Sequence, residues 1–165
     1  MKATKKKILI TDDDIDVITA VTSILKKEGY EVIPAMNKKE ALEILRSEKP
    51  DVAILDVMMT THYEGFELAR EMLEKPVFKN IPVVIQTSLE VLVTTKSAVR
   101  EMAREYRKDP LYKDLQVLLL KNPTDGTAGV DYRDEEGRSH WIPVNGFIKK
   151  PVDAQKLSAE VARHV

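Results

Sequence analysis

Between Ile8 and Gln86 two periodicities alternate without exception, and this constrains the fold more than any other property of the chain. Ile8 to Thr11, Val32-Ile33, Val52 to Leu55 and Ile81 to Gln86 are short apolar runs, as expected of strands covered on both faces. Between them apolar residues recur at helical spacing: Ile15, Ile18, Val21 and Leu25, then Ala41, Leu42 and Leu45, then Phe66, Leu68, Ala69, Met72 and Leu73. The punctuation agrees with the periods. Asp14 is placed to cap the first helix and Gly29 to end it, Asn37 with Glu40 forms a capping box, and Pro50 stops the second helix. Strands alternating with helices through right-handed crossovers predict a three-layer α/β fold, a parallel sheet with helices on both faces.

After Gln86 the rhythm breaks. Between Thr87 and Lys150 lie 62 residues, whereas one helix, one strand and their loops need only ~20 to 25. Val91 to Arg107 reads as a helix carrying Val91, Ala98, Met102 and Tyr106 among many charges, closed by Asp109-Pro110. Gln116 to Leu120 is a short apolar run, Asn122 to Gly126 is dense in turn residues, and Tyr132 to Val144 around Asp134-Glu135-Glu136-Gly137 reads as a β-hairpin. Phe147-Ile148 resumes the sheet, and Ala154, Leu157 and Val161 mark a closing helix. The expected organisation is a single domain over residues 1–165 with an insertion at about 108–145.

Composition narrows the function classes. With 26 basic and 27 acidic residues the net charge is -1, which provides no electrostatic footprint for nucleic acid or an anionic membrane. The chain has no cysteine, so disulfides, thiolate metal sites and cysteine nucleophiles are excluded, and a reducing, cytoplasmic setting is the expectation. No apolar run approaches the length of a membrane span, and the four lysines before Ile8 read as a solvated lead into the first strand.

Chemistry gathers where the apolar runs end. Asp12-Asp13-Asp14 follow the first run, Asp56 the third, Thr87 the fourth and Lys150-Pro151 the last. In an open α/β sheet these ends lie side by side at the C-terminal edge, where ligands bind. Asp12, Asp13 and Asp56 are oxygen donors suited to Mg²⁺, and Asp56 is a carboxylate able to accept a phosphoryl group as an acyl phosphate. Lys150 and the Thr87 hydroxyl are placed to meet its oxygens. For Asp14 a helix cap is the stronger reading.

Lys7-Ile-Leu-Ile-Thr-Asp-Asp-Asp14, Asp51-Val-Ala-Ile-Leu-Asp-Val-Met-Met59, Gly65-Phe-Glu-Leu68, Ile81-Pro-Val-Val-Ile-Gln-Thr-Ser88 and Phe147-Ile-Lys-Lys-Pro-Val-Asp153 together resemble the response-regulator receiver domains of two-component, phosphorelay signalling. The resemblance spans residues 5–90 and 146–165. It implies a flavodoxin-like, CheY-like doubly wound sheet of five parallel strands in the order 2-1-3-4-5, with the insertion between strands 4 and 5. It further implies Asp56 as phospho-acceptor, Mg²⁺ held by Asp12, Asp13, Asp56 and the Met58 backbone carbonyl, Lys150 on the phosphoryl group, and Thr87 with Phe147 as the switch pair. Lys149 is also in reach, but the family's lysine directly precedes the proline. A histidine kinase or phosphotransfer protein is the implied donor, and an unidentified downstream protein, or a second copy of the chain, the implied partner of the switched surface. The implied chain is a signalling protein rather than an enzyme, either a stand-alone receiver or a piece of something longer.

Departures from the family pattern are local. Thr60 replaces the usual proline, the Thr61 to Glu64 connection is one residue longer, and His62 in it reads as a bystander to an oxygen-ligated metal. Met58 and Leu89 are apolar where family members often carry side chains that orient water, so slow loss of the phosphoryl group is expected. Two competing readings are a pseudo-receiver that binds partners without phosphorylation, and a haloacid-dehalogenase-type phosphatase with Asp12 as nucleophile and Asp14 as acid. The second leaves Asp56 and Lys150-Pro151 unexplained.

Overall fold

The computed structural model describes residues 5–57, 64–134 and 136–165. Two compact units are present, Met1–Ser88 with Phe147–Val165, and Leu89–Gly146.

In the first unit, strands β1 (Lys7–Thr11), β2 (Glu31–Ala35), β3 (Val52–Asp56) and β4 (Val83–Thr87) alternate with helices α1 (Ile15–Lys27), α2 (Lys38–Glu48) and α3 (Glu64–Glu74). The last strand of this sheet, β9 (Gly146–Lys149), precedes the closing helix α5 (Ala154–Ala162). The sheet has five parallel strands in the order β2-β1-β3-β4-β9, the predicted 2-1-3-4-5 arrangement. Register sets Ile8 beside Val52 and Ile54 beside Val84. Side chains one strand apart on the same face thus stack into a core of Ile8, Ile10, Ile54, Val84 and Ile148, completed by Val21 and Leu25 of α1 and Leu157 and Val161 of α5. Pro34 is tolerated in β2 because that strand lies at the sheet edge.

The expected caps form. The Asp14 side chain accepts from the Asp16 amide, and Asn37 accepts from the Glu40 amide while Glu40 reaches back to the amide of Met36. Gly29 adopts φ +91°, which an L side chain would resist. Asp153 starts α5 in the same way, accepting from the Lys156 amide.

The second unit corrects the reading of residues 91–107 as one helix. Val91–Val93 is strand β5, and the helix α4 runs only over Val99–Tyr106. The run Val91-Leu92-Val93-Thr94-Thr95 is rich in β-branched residues, which favour a pleated surface. It pairs in parallel with β6 (Val117–Asn122), so β5, α4 and β6 form a crossover unit. The expected hairpin is present and longer than its sequence signal: β7 (Thr127–Arg133) and β8 (Ser139–Val144) pair antiparallel, and β7 also pairs with β6. The hairpin turn is held by Asp134, whose carboxylate accepts from the amides of Glu136 and Arg138, with Gly137 at φ +79°. The resulting sheet has the order β5-β6-β7-β8. It carries its own apolar cluster, Leu92, Leu118 and Leu120 from the strands and Val99 and Ala103 from α4, flanked by Met102, Tyr106, Tyr112 and Trp141.

Candidate functional site

Parallel pairing in register brings the C-terminal ends of β1 and β3 together, because Thr11 lies beside Leu55 and the next residue on each is an aspartate, Asp12 after β1 and Asp56 closing β3. Asp12 is fully buried, Asp56 nearly so, and Asp13 exposed. One carboxylate oxygen from each lies within 4.8 Å of the others. Backbone groups fix Asp12 on both sides. The Asp12 amide donates to the Ala35 carbonyl, and Asp12 Oδ1 accepts from the amide of Asp14 at 2.9 Å.

The ammonium of Lys150 enters from the other side of the sheet order, following β9. Its Nζ lies 2.9 Å from Asp12 Oδ2 and 3.2 Å from Asp56 Oδ1. The Lys150 amide donates to the Thr87 carbonyl at 2.8 Å, which ties the lysine to the end of β4, and the Lys150–Pro151 peptide is cis. Burial works to lower the Lys150 pKa. The hydrogen bond to Asp12 and the charges of Asp56 and Asp12 outweigh it, and the ammonium is held above its ordinary value. Lys149 is exposed, so of the two lysines only Lys150 joins the carboxylates.

The donor set suits a hard cation. Asp12 Oδ2 is buried and faces the Lys150 ammonium at 2.9 Å, and a carboxylate oxygen with one such contact keeps a second lone pair for a cation. Three carboxylates, two of them buried, exceed the one ammonium among them, and oxygen donors with room for water are what Mg²⁺ takes. Met58, whose carbonyl was expected to complete the coordination, lies outside the described residues, as do Thr60, Thr61 and His62.

Thr87 is buried at the end of β4 and Phe147 is half-buried on β9. Two residues to which the sequence reading gave no role bear on the site. Gly65, in the first turn of α3, packs so close to β3 that a β-carbon would overlap the Asp56 carbonyl oxygen, and its amide donates to the Val57 carbonyl. Gln86 is the register partner of Asp56 on β4, fully buried, with no hydrogen bond to its amide group among the described residues. A polar residue ending an apolar run was its only signal.

The family model described as the response regulator receiver domain matches residues 8–117. The probable transcriptional regulator ycf27 of Cyanophora paradoxa is 36% identical over 89 residues, 54% of this chain and 36% of that protein. Protein PilH of Pseudomonas aeruginosa is 34% identical over 82 residues, 50% of this chain and 67% of that protein. The chain thus spans about a third of the length of the first and two thirds of the second. Among solved structures, the chemotaxis response regulator CheY4 of Vibrio cholerae superposes with a TM-score of 0.62 at 22% identity, over 98% of this chain and 100% of that one.

Proposed function

We propose, from the premise that the chain belongs to the response regulator receiver family, that it accepts a phosphoryl group on Asp56 and uses it to switch a partner-binding surface. Receiver domains take that group from histidine kinases or phosphotransfer proteins, and this is the donor class proposed here. The observation that carries the reading is the contact of Lys150 with both Asp12 and Asp56.

Each residue then has a physical task. Asp56 supplies the nucleophilic oxygen, and its buried position lets it displace the donor's leaving group with little competition from water. Lys150 releases its hold on Asp56 and neutralises an oxygen of the arriving group. Thr87, tied through its carbonyl to Lys150, offers a hydroxyl to the same group, and Phe147 repacks as that hydroxyl moves. Asp12 and Asp13 would hold Mg²⁺ with Asp56, which when bound offsets phosphoryl charge. New negative charge ordering these groups biases a two-state equilibrium of the surface. The chain on this reading catalyses only its own phosphoryl transfer and dephosphorylation, and residues 89–146 are an elaboration carried between the last two strands of the receiver sheet.

The phosphatase reading is weaker, since Asp12 has one oxygen engaged by the Asp14 amide and the other by Lys150. No described helix is long and apolar enough to cross a membrane.

The test is intact mass after incubation with acetyl phosphate and Mg²⁺. One added phosphoryl group is expected on the wild type and none on Asp56→Ala. An adduct on both would move the acceptor elsewhere. No adduct on either, with partner binding retained by Asp56→Ala, would establish the pseudo-receiver.

A further inference from the structure

In the second unit a cleft of about 300 Å³ opens between α4 and the strands β7 and β8. Four arginines line it, Arg100, Arg104 and Arg107 from the helix and Arg133 from β7, together with Asp131 and Trp141. Arg100, Arg104 and Arg107 follow one another at four and three residues, so they share one stripe of α4. Asp131 and Arg133 are two apart on β7 and share one face of the sheet. The charge therefore converges from two elements on one cavity.

Among the described residues the cleft is not internally neutralised. Asp131 is committed to Arg107, whose guanidinium pairs with its carboxylate at 3.3 Å, donates to its carbonyl, and clamps the carbonyls of Tyr112 and Leu115. Arg107 is thereby a structural residue, with its side chain only 10% exposed. Arg100, Arg104 and Arg133 have no ion-pair or hydrogen-bond partner for their side chains among the described residues, and the Nε of Arg133 is buried without a partner. Three like charges converging on one concave wall raise the local positive potential, which favours an anion there. Trp141 adds a half-buried indole to the wall, packed so closely over Gly129 that a β-carbon there would overlap its ring.

We infer that this cleft binds a small phosphorylated anion carrying at least two negative charges. Guanidinium forks meet phosphate oxygens in pairs, and forks arriving from a helix and a strand suit a group with oxygens in several directions better than a planar carboxylate. The volume is at the small end of ligand pockets, which fits a nucleotide-sized molecule, and an indole wall accepts the flat face of a ring. The site is independent of Asp56 and does not rest on the proposed receiver chemistry.

Trp141 is the only tryptophan of the chain, so its fluorescence reports on the cleft directly. Inorganic pyrophosphate and ADP are titrated separately at low ionic strength into protein first stripped of divalent metal on a chelating resin, which empties the Asp56 pocket without adding a soluble polyanion, and calorimetry confirms each isotherm. Saturable binding of at least one probe is expected, weakened about tenfold or more by Arg100→Gln with Arg104→Gln, through loss of charge-assisted hydrogen bonds. Both arginines are exposed, so this variant keeps the fold, checked by its thermal midpoint. Arg133→Gln is the second variant and is expected to weaken binding likewise, whereas Lys121→Gln outside the cleft leaves it unchanged. Absence of saturable binding up to about 5 mM of either probe, equal affinity in the arginine variants, or tighter binding of a phosphorylated peptide than of both probes would overturn the inference.

Discussion

At the scale of residues, one ammonium sets the charge state of the acidic pocket. Replacing Lys150 by Met removes the ammonium that faces Asp12 Oδ2 at 2.9 Å and leaves that buried carboxylate to its acidic neighbours' repulsion. Lys150→Met is therefore expected to bind Mg²⁺ several-fold more tightly, by calorimetric titration, yet to take up less phosphoryl group from acetyl phosphate. The pH sign follows from the raised lysine. Its stabilising pair is fully present below the unfolded pKa of about 10.4 and is lost as pH rises through the folded value. Melting curves between neutrality and roughly pH 9 should thus show no contribution from Lys150 titration. A second prediction concerns lifetime: Met58→Asn with Leu89→Glu should speed phosphoryl loss by about tenfold, through side chains able to orient water. Decay of the added mass over time measures it. Asp12, Asp13, Asp56 and Lys150 were legible in the sequence because each stands where an apolar run stops. Arg133 was not, since nothing in a strand sequence says which helix will lie over it.

At the scale of elements, α3 is seated by a glycine and by the ion pair of Glu71 with Lys38 of α2. Gly65→Ala forces the helix start away from the Asp56 carbonyl, a backbone overlap expected to cost about 1–3 kcal/mol or more. Chemical denaturation should show that loss together with slower uptake of the phosphoryl group. Glu71 of α3 accepts from Lys75 and from Lys38 of α2, which lower its pKa against the opposing effect of burial. A lowered carboxylate pKa stabilises above the unfolded value of about 4.3 and ceases to do so as pH falls through the folded one. Glu71→Gln should therefore cost up to about 1 kcal/mol at neutral pH, after solvent screening, and nothing once the wild-type carboxyl is protonated. The strands and helices of the first unit were legible because two periods alternate there with caps at the joints. Residues 91–107 misled because Val91, Ala98, Met102 and Tyr106 mimic a helical stripe, while β5 owes its strand state to pairing with β6, a partner more than twenty residues away.

At the scale of the molecule, the last two strands of the receiver sheet are neighbours in space but separated in sequence by the whole second unit. Parallel neighbours need a crossover of about a dozen residues, so replacing residues 89–145 by a flexible linker of that length should leave a chain able to accept a phosphoryl group. Retained uptake with altered partner binding would assign the second unit to signalling, and retained uptake with unchanged binding would make it an independent module. The order of sheet and helices was legible in advance because it follows from local alternation. The second sheet was not, because its core joins β5, α4 and β6 to a hairpin whose strands carry no mark of their partners. The placing of Lys150 also has a consequence during synthesis. Asp12 and Asp56 leave the ribosome long before the lysine that neutralises them, by on the order of ten seconds at ordinary elongation rates. Throughout that interval Asp12 and Asp56 lack the ammonium that faces them in the finished fold, so completion of the pocket is tied to synthesis of its final strand.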